Sequence, residues 1–266
     1  LALKVKEPRN KESLFFLPAI VLKDLLIALE YRLAQIPQLS ADEHSRYEKA
    51  RDKATAKMHQ NIPALQREEL EQADVNLRVN AIALTHDDNE TQTFTLTLHS
   101  GKKVELVVDL LQIELLVTVM VHAINNAGMN ELSLRISSML DFLPLYDVDC
   151  QAGGNLEYDT YDHPAWKRNL FVHHLAVIYR YTDTEGKTQF SGTVIKTRSK
   201  PGTKDVEAVT RRLLDCSPRL KKLAGLPCQV FVRALSSDKR KTFTADACMQ
   251  ALYQLQQSVE KNAEKA

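Results

Sequence analysis

An acidic, tyrosine-rich segment at residues 141–162 holds the side chains best suited to metal chemistry. Six carboxylates lie in it with no lysine or arginine among them: Asp141, Asp147, Asp149, Glu157, Asp159 and Asp162. Carboxylate oxygens on irregular backbone are ligands that Mg²⁺ and Mn²⁺ prefer. Asp147, Asp149, Glu157 and Asp159 are therefore weak metal-site candidates, and a metal-dependent hydrolase or nuclease is one functional hypothesis.

This segment lacks the spacing of established metal motifs. It has neither the glycine and twelfth-position glutamate of a calcium loop nor an HExxH partner. The simpler interpretation is a solvated acidic loop whose tyrosines pack against the protein body, and a partner-binding loop is a further alternative. We expect no tightly bound divalent metal ion.

A basic stretch at residues 196–241 is the second candidate. It holds thirteen lysines and arginines against four acids, a charge of +9, whereas residues 1–195 carry −7. Such asymmetry is typical of a surface for phosphates or an acidic partner. The candidate binding residues are Arg198, Lys200, Arg211, Arg212, Arg219, Lys221 and Lys222.

Three interpretations of the basic stretch remain open. It could bind nucleic acid without sequence preference, because no helix-turn-helix, RNP, KH or zinc-finger pattern is present. It could bind an acidic protein. Alternatively, the acidic and basic parts could neutralise each other within the molecule or across a dimer.

Nucleophile and cofactor motifs are absent from the sequence. There is no GxSxG, Walker or Rossmann glycine pattern, and the chain has 8 glycines in all. The four cysteines form no CxxC pair and are expected to be reduced thiols in the cytoplasm. His173 and His174 would point to opposite faces of a strand, one in the core and hydrogen-bonded, the other exposed. No catalytic residue is identified, whether the protein is an enzyme stays open, and no cofactor is expected.

Hydrophobic periodicity predicts the elements that position these residues. The sequence contains an internal repeat at a constant offset of ninety positions, because residues 14–16 and 24–26 match residues 104–106 and 114–116. Both copies are predicted to form a β-hairpin followed by a helix. A third hairpin is predicted at 175–197, followed by a helix at 203–215. It repeats the order of elements, but its residues do not match those of the other two copies. The sequence therefore predicts an α+β fold of antiparallel sheets with packed helices, built from repeated β-hairpin–helix units.

Two lobes are expected from this order of elements. The first, residues 1–140, contains two hairpin–helix units with a helical insertion at about 40–73. The second, residues 141–266, contains the acidic loop, a hairpin, a helix, a strand and a helix. A strand is predicted from residue 75, and the helix at 109–127 is expected to be buried on most of its circumference. That helix is too short and too polar to span a membrane.

Four strings, KEPRNKESLFF, LDFLPLYDVDCQ, GNLEYDTY and SPRLKKLAG, carry a resemblance to the bacterial YjeJ family. The likeness covers nearly the whole chain and implies a short additional N-terminal segment in family members. It implies no function or catalytic residue. We therefore expect a cytosolic, non-enzymatic binding or regulatory protein, with a protein partner or homo-oligomer, and with nucleic-acid binding or metal-dependent hydrolysis as the alternatives.

Overall fold

The computed structural model describes residues 1–6, 11–36, 39–150 and 156–263. Within them the chain forms eight α-helices and three antiparallel sheets, which confirms the α+β class. The chain divides into two compact units, Leu1–Ile136 and Ser137–Ala266. A division into two lobes at residues 140 and 141 stays a prediction.

The N-terminal unit contains two small sheets and five helices, the last of which ends at the unit boundary. A two-stranded sheet joins β1 and β2, and a three-stranded sheet has the order β3-β4-β5. The elements are β1 (Ala2–Lys6), β2 (Glu12–Phe16), α1 (Ala19–Leu33), α2 (Ala41–His59), α3 (Arg67–Glu71), β3 (Val79–Asp87), β4 (Thr91–Leu98), β5 (Lys103–Asp109), α4 (Leu110–Asn126) and α5 (Asn130–Ser137).

Local sequence signals account for several of these boundaries. Ser40 and Glu43 form a capping box that starts α2, and Asp109 with Gln112 forms another at the start of α4. Gly101 adopts φ of 81° in the turn between β4 and β5, a conformation that glycine accepts without a steric penalty.

Two sequence predictions for this unit are wrong. Residues Val75–Leu77 form a 3₁₀ helix, and the strand begins only at Val79. Helix α4 buries a single stripe, Ile113, Val117, Met120 and Ile124, rather than most of its circumference. It packs against α1 and α2, so Leu116 is half-buried and Val119 is 49% exposed.

The C-terminal unit is built on a five-stranded sheet of order β10-β8-β9-β6-β7. Its elements are β6 (Phe142–Cys150), β7 (Leu156–Thr160), α6 (Ala165–Arg168), β8 (His173–Thr182), β9 (Thr188–Thr197), α7 (Lys204–Cys216), β10 (Gln229–Ser236) and α8 (Ala245–Ala263). Helix α7 and a 3₁₀ helix at Leu220–Leu223 cover one face, and α8 covers the other.

The expected acidic loop is instead part of this sheet. Residues 142–150 and 156–160 are strands β6 and β7, and β6 lies between β7 and β9. The polar composition suggested a loop, but Val148 and Cys150 alternate with Asp147 and Asp149 and pack beneath α8. The Gly153-Gly154 pair in the sequence favours a turn, and both glycines lie outside the described residues.

A hairpin followed by a helix occurs at three places in the described chain. These are β1-β2 with α1, β4-β5 with α4, and β8-β9 with α7. The three hairpins belong to three different sheets, and their origin as a repeat stays a prediction. Among the described helices, none is long and apolar enough to cross a membrane.

Candidate functional site

Strand pairing brings the acidic candidates side by side. Asp147 lies opposite Asp159, and Asp149 lies opposite Glu157, in the register of β6 and β7. Because β6 buries Val148 beneath α8, Asp147 and Asp149 lie on the other face, next to α7 and the 3₁₀ helix. The two strands thus concentrate carboxylates where the basic stretch crosses the sheet.

Arg219 and Lys222 neutralise much of this acidic cluster. Arg219 donates to Asp159 from Nε at 2.9 Å and Nη2 at 3.1 Å, and to Asp149 from Nη1 at 2.9 Å. Lys222 Nζ and Ser191 Oγ donate to Asp149 at 2.5 and 2.7 Å. Burial opposes ionisation of Asp149, but these hydrogen bonds outweigh it and hold its pKa below the usual range. The Arg219 hydrogen bonds likewise lower the pKa of Asp159.

Asp147 is fully buried beside this cluster. Its Oδ2 accepts hydrogen bonds from Tyr161 Oη at 2.7 Å and from Ser217 Oγ at 2.5 Å. Ser217 Oγ also accepts the backbone N–H of Leu220 at 3.0 Å, so the carboxylate is linked to the start of the 3₁₀ helix. Burial and the hydrogen bond to Asp147 raise the pKa of Tyr161, which stays a neutral donor. The network therefore fastens the segment after α7 to strand β6.

The four metal candidates are adjacent, but cationic or hydroxyl groups occupy most of their oxygens. Asp149 and Asp159 share the Arg219 guanidinium, which lies within 3.8 Å of Glu157, and Asp147 accepts from two hydroxyls. Within the parts of the chain that the structure describes, no group of three or more His, Cys, Asp or Glu side chains could hold a metal ion. The chemistry displayed here is cross-linking by ion pairs.

Two further basic candidates are held by the protein itself. Arg212 forms a bidentate ion pair with Asp141 at 2.9 and 2.6 Å, and its guanidinium lies over the Phe142 ring. Arg198 donates to the backbone oxygen of Leu140. Both anchor the start of β6 rather than project from the surface.

Lys222 is exposed although it is paired with Asp149, and Lys200, Arg211 and Lys221 are exposed as well. None of these last three forms an ion pair with a described residue. The seven basic candidates thus do not form one free surface, because Arg212, Arg219 and Lys222 are paired with acids. Phosphate or acidic-partner binding by the full set stays a prediction.

The histidine pair separates across the sheet as the sequence predicts. His174 is 2% exposed, whereas His173 is partly exposed and its Nδ1 lies 3.0 Å from Ser237 Oγ. The expectation that the buried histidine is hydrogen-bonded is wrong for Nδ1, which has no partner among the described residues.

Strand β10 is a surface feature that the sequence did not reveal. It lies at the edge of the sheet and pairs with β8 alone among the described strands. Val230 and Val232 are 40% and 39% exposed on the face covered by α7, and Arg233 is the one charged residue in the strand. The sequence predicts a strand between the last two helices, but its place at an edge depends on the order of strands that are distant in sequence.

Two other sheet edges carry charges that discourage strand addition, whereas edge strand β3 carries a carboxylate only at its last residue, Asp87. Edge strand β7 exposes Glu157 and Asp159, and edge strand β5 exposes Lys103, Glu105 and Asp109. Charged side chains on an edge are a common protection against pairing with another chain. Strand β10 has this protection at Arg233, together with a bulge between Ala234 and Ser236 at its end.

Comparison with known proteins extends the resemblance found in the sequence. The model of the YjeJ-like family matches residues 1–262. The chain is 59% identical over 267 residues to the "Uncharacterized protein YjeJ" of Escherichia coli K12, an alignment that covers 100% of this chain and 92% of that protein. No solved structure matches.

Proposed function

The chain belongs to the YjeJ-like family, and we propose that it is a binding protein that pairs with a second copy of itself through edge strand β10. The observation that carries this proposal is an edge with one charged residue, Arg233, on which Val230 and Val232 are exposed beside backbone groups that no described strand pairs. Strand addition at such an edge provides main-chain hydrogen bonds, and the side chains set the register.

The sequence of β10 is self-complementary in an antiparallel pair. A twofold axis through Phe231 places Val230 opposite Val232 of the second copy, twice, and Gln229 opposite Arg233. Residues opposite each other share one face of the sheet, so apolar groups meet apolar groups. The two Arg233 side chains do not face each other, which avoids like-charge repulsion. The second copy is therefore the occupant that this edge fits.

The resulting dimer would join two five-stranded sheets into one of ten strands. One added strand pair is small beside the roughly 1,200–2,000 Å² of a standard interface. We therefore expect a reversible dimer that dissociates on dilution.

Sedimentation velocity over about 5–500 µM protein tests the proposal, a range suited to micromolar affinities. Wild type should shift from monomer to twice the monomer mass as concentration rises. The double variant Val230→Lys with Val232→Lys should stay monomeric, because two lysines on the edge are costly to pair.

A matched control replaces exposed valines elsewhere. Val107 on edge strand β5 and Val119 on α4 are 56% and 49% exposed, in the N-terminal unit. Val107→Lys with Val119→Lys adds the same charge and should dimerise like wild type. The proposal would be refuted if wild type stayed monomeric over the whole concentration range. It would also be refuted if the edge variant dimerised at the same midpoint concentration as wild type.

The two alternative functions receive less support from the geometry. Nucleic-acid binding would rely mainly on Lys200, Arg211 and Lys221, and it predicts an affinity that falls steeply with salt. Metal-dependent hydrolysis would require a divalent ion to displace Arg219 from Asp149 and Asp159. Thermal unfolding should then shift on adding Mg²⁺ or EDTA, and we expect no shift beyond a degree or two.

A further inference from the structure

Lys196 is a buried lysine that forms no ion pair with any residue that the structure describes. It is 2% exposed on β9, and its Nζ donates one hydrogen bond, to the backbone oxygen of Lys239 at 2.9 Å. An ammonium group has three N–H donors. Among the described residues no carboxylate lies within ion-pair distance, so two donors have no acceptor and the charge has no direct ion-pair partner.

His174 is the cross-strand neighbour of this lysine. The two residues are paired in the register of β8 and β9, which places their Cβ atoms roughly 4.5–5.5 Å apart on one face of the sheet. His174 is also 2% exposed, its Nδ1 has no partner among the described residues, and its ring meets the Phe243 ring edge-on at 5.1 Å. Two incompletely bonded nitrogen groups thus share one buried location.

Positive charge exceeds negative charge around this location. Burial lowers the pKa of Lys196 to about 8, with a contribution from Arg168 that Asp238 opposes. Burial also lowers the pKa of His174 to about 4, helped by Lys196 and Lys241 and again opposed by Asp238. Two cationic groups, Lys196 and Lys241, thus act on a neutral imidazole, and the carboxylate of Asp238 opposes them.

A buried excess charge is unfavourable unless an opposite charge or further hydrogen bonds compensate it. A hydrophobic side chain of similar size would remove the cost in a purely structural position. An anion would instead use the free donors of Lys196, accept a hydrogen bond from the Nδ1–H tautomer of His174, and offset the local charge.

We propose that Lys196 and His174 form a binding site for a small oxyanion, a phosphate or carboxylate group, beneath the loop at residues 237–244. This loop contributes the Lys239 carbonyl that touches the ammonium, the Lys241 charge and the Phe243 ring. Entry of the ligand requires the loop to move aside, since both residues are buried in its present position. The site lies on the α8 face, away from the Arg219 cluster on the opposite face.

Isothermal titration calorimetry with inorganic phosphate, and separately with acetate, tests the site at constant ionic strength. Wild type should bind at least one of the two anions. Lys196→Met should weaken that binding by more than about tenfold, a loss measurable as a change in Kd. Binding of phosphate alone would assign a phosphate ligand, and binding of acetate would assign a carboxylate.

Lys204→Met is the matched control, because Lys204 is an exposed lysine of the same basic stretch and is not one of the candidate binding residues. It should leave the Kd unchanged within about twofold. A second measurement follows the imidazole nitrogen resonances of wild type during the titration, with His174→Gln identifying the relevant signal, and it stays informative if Lys196→Met does not fold. The proposal is overturned if neither anion binds, if Lys196→Met binds as tightly as wild type, or if the His174 signal does not move.

Discussion

The Arg219→Met substitution removes the guanidinium that joins Asp149 on β6 to Asp159 on β7. Methionine keeps the length of the aliphatic stem but donates no hydrogen bond. Asp149 would retain Lys222 and Ser191, whereas Asp159 would lose the group that lowers its pKa. The variant therefore isolates the contribution of one shared cation to the C-terminal unit.

The expected loss of stability follows from the more buried of the two contacts. Arg219 and Asp149 side chains are 20% and 21% exposed, and their nitrogen and oxygen are 2.9 Å apart. A hydrogen bond to a charged group contributes about 1.5–3 kcal/mol. Residual solvent screening reduces this value, so we expect the free energy of unfolding to fall by roughly 1–2 kcal/mol at pH 7.

The loss should depend on pH in a defined direction. Both carboxyls have folded-state pKa values below their unfolded values, so their pairing stabilises the native state fully above the unfolded pKa of about 3.9. This contribution disappears as the pH falls through the lowered folded-state pKa values. The difference between wild type and Arg219→Met should therefore shrink below about pH 4.

Urea unfolding followed by tryptophan fluorescence measures this effect selectively. The chain has 1 tryptophan, Trp166, which lies in the C-terminal unit. Arg211→Met is the control, since Arg211 is exposed on α7 and has no ion pair among the described residues. Equal losses in the two variants, or an Arg219→Met loss that persists undiminished in acid, would contradict the assignment.

Three further predictions concern packing and thiol reactivity. Gly192→Ala should cost about 1–3 kcal/mol in urea unfolding, because the added Cβ would lie 2.8 Å from Cδ1 of Ile178 and 2.9 Å from a backbone oxygen. Ile113→Ala should lower the free energy of unfolding by about 2–5 kcal/mol, and Leu116→Ala should lower it clearly less, because of these two only Ile113 is fully buried. Equal losses of stability in thermal melts followed by circular dichroism would contradict this. Burial raises the pKa of Cys150 to about 12, so its thiol should react with Ellman's reagent only after unfolding, and rapid native labelling would exclude this environment.

Local signals in the sequence account for much of the secondary structure. The capping boxes at Ser40 and Asp109 and the turns at Gly101 and Gly186 involve residues within a few positions of each other. The stability of these caps and turns depends on residues that are neighbours in sequence. The α+β class follows from the helical and strand spacing of the apolar residues. The same approach failed for the acidic segment, where composition indicated a loop and strand pairing formed β6 and β7.

Burial was predicted less well than periodicity. Helix α4 has apolar residues on most sides, yet its partners α1 and α2 cover one stripe, and Val119 remains exposed. Lys196 shows the opposite error, since a charged residue in a basic stretch was expected at the surface and lies in the interior. Both outcomes depend on which distant elements pack over a residue.

The sequence by itself determined the fold class, the main helix and strand segments, the family and the separation of acidic from basic residues. Tertiary structure decided how these charges are used. Arg219 meets Asp149 across 70 positions, and Lys196 meets the Lys239 carbonyl across 43. It also decided that β10 is an edge, because strand order β10-β8-β9-β6-β7 does not follow chain order. Charge pairing, edge exposure and burial arise from long-range contacts, whose partners a local pattern does not specify.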